Sequence, residues 1–190
     1  MTRRHAAAAL AAGALVSLAL LTLPAAGTGV TVAPEDPGDY LRAQWGNWSV
    51  VGGCDTRERV LIAQGTGVVT GPGCRVLAGT WTSPYDGVMV TDPSALDIDH
   101  IVPLAEAARS GARSWTAPQR SAYYNDVADL VAVTARTNRS KGDRDAARWL
   151  PQDSYRCAYA HAWVTVKTAY RLTEDQAEHA ALAQILDGCP

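Results

Sequence analysis

Residues 94–107 read SALDIDHIVPLAEA. Alternate side chains of an extended chain share a face, so Asp97 and Asp99 are expected to point the same way. Two carboxylates on one face are costly to bury unless a metal or a basic partner offsets them. His100 follows at once, and the ordinary pKa of an imidazole, about 6.5, suits proton transfer near neutral pH. Taken alone, the pair reads as solvated edge residues and the histidine as a structural one. The residues downstream change that: NRSKGD at 138–143 begins 38 residues after His100 and offers an amide and two cations, Arg139 and Lys141.

Several elements must bring these groups together. Leu96–Asp99 reads as a strand running into His100, and Pro103 starts a short helix, PLAEAARSG, that Gly111 ends. Thr116 caps a further helix through Tyr124. ADLVAVT (128–134) is an apolar, β-rich run and hence a strand, and ARTNRSKGD after it is a short helix ended by Gly142. Upstream, Arg75–Trp81 and Val88–Val90 are strands joined by a turn through residues 83–87. RERVLIAQGTGVVT is helical in its first half, with Thr56 as its cap, and strand-like after it. The last third holds two helices, SYRCAYAHAWVTVKTAYR and TEDQAEHAALAQIL, the second capped by Thr173. The class is α+β: a small β-meander, a strand–helix–strand–helix core and C-terminal helices.

The first 27 residues belong to no fold. Arg3, Arg4 and His5 precede an apolar run from Ala6 to Leu23, and Pro24 with small residues follows, the pattern of a cleaved signal peptide. An uncleaved membrane anchor is the alternative, because the run approaches the roughly 20 residues that a span needs. After cleavage no stable membrane association is expected. Residues 28–39, rich in Pro, Gly and acid, read as a linker, and 40–190 as one domain without internal repeats.

Export makes the four cysteines legible as disulfides, and none has the C-x-x-C spacing of a zinc site. Of three possible pairings the sequence-local one is favoured: Cys54 with Cys74 and Cys157 with Cys189. The formal net charge of −2 conceals a division. Residues 28–100 carry four Arg/Lys against nine Asp/Glu, residues 101–171 eleven against six, and the tail none against four. A basic middle of this size is weaker than a DNA-reading stripe but suits an anionic substrate.

DIDHIVPL followed by DLVAVTARTNRSKGD resembles the HNH endonucleases with a ββα-metal core. The similarity is greatest to the type at the C-terminus of GmrSD-like restriction enzymes and to small secreted actinobacterial HNH proteins. It extends through CDTRERVL, CRVLAGTW, PYDG, RWLP and YRCAYA, and so covers most of residues 40–171. The resemblance implies that His100 is the general base that takes a proton from water, and that Asp99 and Asn138 are metal ligands. Asp97 then takes a supporting role. The family has an asparagine nine residues before the helix ligand, where it braces the metal loop; this chain has Asp129 there, and Asn125 four residues earlier is the other candidate.

Elementary chemistry agrees with those implied roles. A hard cation held by one carboxylate and one amide oxygen keeps open positions for phosphate and water, which points to magnesium, with manganese as a substitute. Arg139 and Lys141 are expected to hold phosphates. The implied activity is metal-dependent cleavage of DNA with little sequence preference, since no separate DNA-reading module is present; RNA is the other possible substrate. A non-catalytic extracellular binding module on the same scaffold is the alternative. A nuclease toxin is a third, and only that reading would bring an immunity protein as partner.

Overall fold

The computed structural model describes residues 27–190; the expected signal peptide, Gly27 apart, lies outside them. The first half builds the meander. Strands β1 (Val50–Val51) and β2 (Cys54–Asp55) form a small hairpin that leads into helix α1 (Thr56–Gln64). Asp55, not Thr56, is the N-cap: its carboxylate accepts the Glu58 N–H, and its charge suits the positive end of the helix. Strands β3 (Thr66–Thr70), β4 (Val76–Thr82) and β5 (Met89–Val90) follow as a three-stranded antiparallel sheet in sequence order. The β4–β5 turn lies where the Ser83–Gly87 run placed it, closed by Gly87 N–H to the Ser83 carbonyl.

The second half carries the chemistry. Strand β6 (Leu96–His100) pairs antiparallel with β7 (Leu130–Thr134), with Asp97 opposite Val133 and His100 opposite Leu130. Between them run α2 (Leu104–Arg109) and α3 (Ala117–Tyr124), the latter with Thr116 in a capping box with Gln119, as the sequence predicts. Helix α4 (Ala135–Lys141) follows β7 without a break, because Thr134 ends the strand and caps the helix; Gly142, at φ +58°, ends it. Helices α5 (Arg156–Tyr170) and α6 (Gln176–Asp187) close the chain. The α6 cap is Asp175 rather than Thr173, since its carboxylate accepts both the Ala177 and Glu178 N–H groups. The whole is α+β, with β6, β7 and α4 forming a ββα unit.

The β6–β7 ribbon separates two cores. Leu96, Leu130 and Ala132 pack with Val60, Leu61, Val76 and Trp81 of α1 and the meander. Val131 and Val133, on the opposite face, join Tyr123, Tyr159, Trp163 and Leu182 of the helical half. Trp81 donates its indole N–H to the Leu61 carbonyl at 2.8 Å, and a Cβ at Gly65 would stand 2.5 Å from that nitrogen, so only glycine fits there.

Both expected disulfides are present, Cys54–Cys74 and Cys157–Cys189. The first ties the start of α1 to the turn before β4; the second joins the start of α5 to the end of α6. Residues 28–39, expected as a linker, lie against the domain instead. Ala33 N–H reaches the Glu174 carbonyl, Glu174 N–H the Thr31 carbonyl, and Asp36 N–H the Arg109 carbonyl.

Lys167 locks the helical half. Its ammonium is fully buried and donates to Glu106 of α2 (2.8 Å), Glu178 of α6 (2.7 Å), the Ser110 hydroxyl and the Thr173 carbonyl. Lys167→Met would leave two buried carboxylates short of their cation. A loss of about 3–5 kcal/mol in unfolding free energy is expected in urea denaturation, against less than about 1 kcal/mol for the exposed Arg144→Met.

Candidate active site

Side chains two apart on β6 meet side chains three apart on α4. Asn138 donates its amide N–H to Asp97 Oδ2 at 3.0 Å, and Lys141 its ammonium to Asp99 Oδ2 at 2.6 Å. The match is geometric. Two strand residues advance about 6.6 Å along one face. Three helix residues rise about 4.5 Å and return to nearly the same side. With its nitrogen fixed on Asp97, Asn138 has its carbonyl oxygen left for other partners. Asp99 Oδ2 also accepts the Tyr85 hydroxyl at 2.7 Å, so both donors use one oxygen and leave Oδ1 available. Burial raises the Asp99 pKa, and the Lys141 charge opposes it.

His100 closes the strand. Its Nε2 lies 3.0 Å from the Tyr124 carbonyl oxygen. A carbonyl only accepts, so Nε2 carries the proton and Nδ1 holds the free lone pair. The ring is stacked at 14° to Trp48 and at 5° to Tyr123. Only 7% of the residue is exposed, and burial takes its pKa down to about 3, well below the ordinary value expected for it. The imidazole of the free protein is therefore neutral at any pH above about 4.

Asp99, His100 and Asn138 line one cavity of about 290 Å³, with Tyr40, Arg42, Trp48 and Tyr124 on its far wall. Arg42 sits 4.4 Å from the centre of the Tyr124 ring and bonds its hydroxyl; Trp48 stacks on that ring at 4.5 Å. None of these wall residues stands out in the sequence. Trp48 reads as core packing, and Arg42 lies in the acidic first half. Their position depends on Asn125, which accepts Ser49 N–H and the Thr56 hydroxyl and donates to the Asn47 carbonyl.

A family model described as the C-terminal domain of GmrSD restriction endonucleases matches residues 66–185, from β3 into α6. The chain belongs to this family. It is an HNH-type endonuclease family, as the motifs implied. A protein of Arthroderma benhamiae described as an uncharacterized secreted protein is 43% identical over 167 residues, covering 85% of this chain and 82% of that one. No solved structure matches. The disulfides suit an oxidising compartment, and among the described residues no helix is long and apolar enough to cross a membrane.

Within this GmrSD-type domain, Asp129 rather than Asn125 stands at the loop after β6. Its Oδ1 accepts the Val102 N–H at 3.0 Å and its carbonyl the Ile101 N–H at 2.8 Å, so the loop is braced without an amide. Its Oδ2 is buried and receives no hydrogen bond. Burial raises the Asp129 pKa well above the ordinary aspartate value, with the Val102 N–H and the Lys141 charge opposing it.

One other assignment changes. Lys141 is fully buried against Asp99 and the His100 carbonyl (2.6 Å), so it holds the site together and does not reach phosphate. Arg139 beside it is exposed and remains available. Asp143, at the end of the NRSKGD run, accepts from Arg109 at 2.9 Å.

Asp129→Asn tests the bracing. With a folded pKa above the unfolded one, the native state holds a proton that the unfolded chain has lost, so wild-type stability falls as pH rises from about 4 towards the folded value. Asp129→Asn should remove that fall. Melting temperatures measured from pH 5 to 8 should decline less in the variant, which should equal or exceed wild type at pH 8.

Proposed function

We propose that the chain is an exported, metal-dependent endonuclease that hydrolyses DNA phosphodiesters with little sequence preference. The observation that carries this reading is His100. Its one proton is committed to the Tyr124 carbonyl, and its ring lies in a cavity shared with a carboxylate and an amide of the metal-ligand type.

The residues divide the work. His100 Nδ1 takes the proton from an attacking water, and the Nε2 bond holds both tautomer and ring plane. Asp99 Oδ1 and the Asn138 carbonyl oxygen would hold a divalent cation. The set is all oxygen and small, which fits magnesium, with manganese as substitute, and such an ion supplies charge neutralisation at the scissile phosphate. Lys141 balances the Asp99 charge from behind and keeps its second oxygen occupied. Asp97 orients Asn138. Arg139 and Arg42 are the cations placed to meet phosphates along the strand. A phosphodiester beside His100 would raise its low pKa towards the range where a base works well.

The disulfide-bonded protein, incubated with supercoiled plasmid and magnesium, should nick it, and EDTA should abolish nicking. His100→Ala should lower the rate by about 10²–10⁴-fold with the melting temperature within a few degrees of wild type. A folded wild type that cuts neither DNA nor RNA with any divalent ion would leave only a binding module. Arg139→Ala should weaken plasmid binding and reduce its salt dependence by about one phosphate contact, without changing the rate at saturation.

A further inference from the structure

Three carboxylates from distant parts of the chain converge at residues that do not line the cleft. Glu35 comes from the docked N-terminal segment, Asp145 from the stretch after α4, and Asp175 from the N-cap of α6. One oxygen of each lies within 4.8 Å of the other two. Oxygens no farther apart than this can all reach one ion at about 2.4 Å, the calcium–oxygen distance.

The oxygens are short of partners. Asp145 is 1% exposed; its Oδ1 accepts the N–H groups of Ala147 (2.9 Å) and Arg148 (3.1 Å), while its Oδ2 is buried and receives no hydrogen bond. Glu35 Oε1 is also buried and receives none. Asp175 spends Oδ1 on the α6 cap. Cations stand nearby without closing the gap. Arg148 Nη1 is 3.3 Å from Asp145 Oδ2 and Arg109 Nε 3.3 Å from Glu35 Oε1, and neither contact has hydrogen-bond geometry. The Arg148 side chain is mostly exposed, and Arg109 is shared with Glu106 and Asp143. Burial raises the Asp145 pKa, with Glu106 and Asp175 adding to it.

We propose that Glu35, Asp145 and Asp175 form a structural calcium site distinct from the catalytic cleft. The donors are all carboxylate oxygens with no nitrogen or sulfur, which excludes a zinc-type set. Magnesium keeps most of its water and seldom uses a cage of several protein carboxylates, whereas calcium accepts three and completes its shell with water. The ion would fasten residues 28–36 to the domain at the point where Ala33 and Asp36 already bond to it. Asp145 also follows Asp143, on the cleft rim, so the same ion would stiffen that rim.

The test uses the disulfide-bonded protein stripped with EDTA, with melting temperature followed against calcium and, separately, magnesium. Calcium at 5 mM should raise the melting temperature by about 3–8 °C, for sites of the extracellular affinity class. Magnesium should give less than a third of that. Asn138→Ala should keep the calcium shift, which separates this site from the cleft, and Glu35→Gln should lose it. Terbium luminescence displaced by calcium gives a second readout for Asp175→Asn, which should bind at least about 10-fold more weakly. No calcium-specific shift in wild type, or a full shift in Glu35→Gln, would overturn the proposal.

Discussion

A lysine ammonium with no exposure must find acceptors, and Lys141 finds Asp99 Oδ2 and the His100 carbonyl, each at 2.6 Å. That requirement fixes the last turn of α4 against the end of β6. Asn138, one turn earlier, is then brought to Asp97, and both strand–helix pairs are set at once. Such a pair adds little net stability, because desolvating both charges offsets much of their attraction. Its consequence is geometric: this register of helix on strand pairs both charges.

The ribbon that carries this pair is held from both sides. One face packs on α1 and the meander, the other on the helical half, so β6 and β7 have almost no freedom to slide. A one-residue slip would turn Asp97 and Asp99 into the apolar cluster around Trp81 and Leu61. Lys167 does for α2, α5 and α6 what Lys141 does for the ββα unit, tying three helices through one buried cation. Two buried lysines, each with carboxylate partners from other elements, thus specify how the halves assemble.

The sequence makes the elements legible but not their neighbours. Alternation on Leu96–His100, the capping box at Thr116 and the glycine after Lys141 are local signals, and local physics decides them. The disulfide pairing is the sequence-local one of the three that four cysteines allow, and the fold selects it. Lys141 is a different case: Arg139, Lys141 and Gly142 look like a solvated helix end, and only the packing of α4 on β6 shows that one cation points inward. Arg42 and Trp48 are silent for the same reason, since they reach the cleft across more than fifty residues of chain. The α6 cap moved from Thr173 to Asp175 because two candidates lie two residues apart, and the carboxylate accepts two N–H groups there. The docking of residues 28–39 left no sign in a composition rich in Pro, Gly and acid.

The aromatic wall and the His100 imidazole act against each other. Trp48, Tyr123 and Tyr124 strip water from His100, which fixes the ring plane but lowers its proton affinity. An imidazole weakened this way gains proton affinity when negative charge enters the cavity, and the phosphodiester of the proposed reaction would bring that charge. Arg42, bonded to Tyr124 on the same wall, marks where the anion would be met. On the proposed reading, the wall would keep His100 neutral in the free protein and make its basicity depend on the arrival of a phosphodiester.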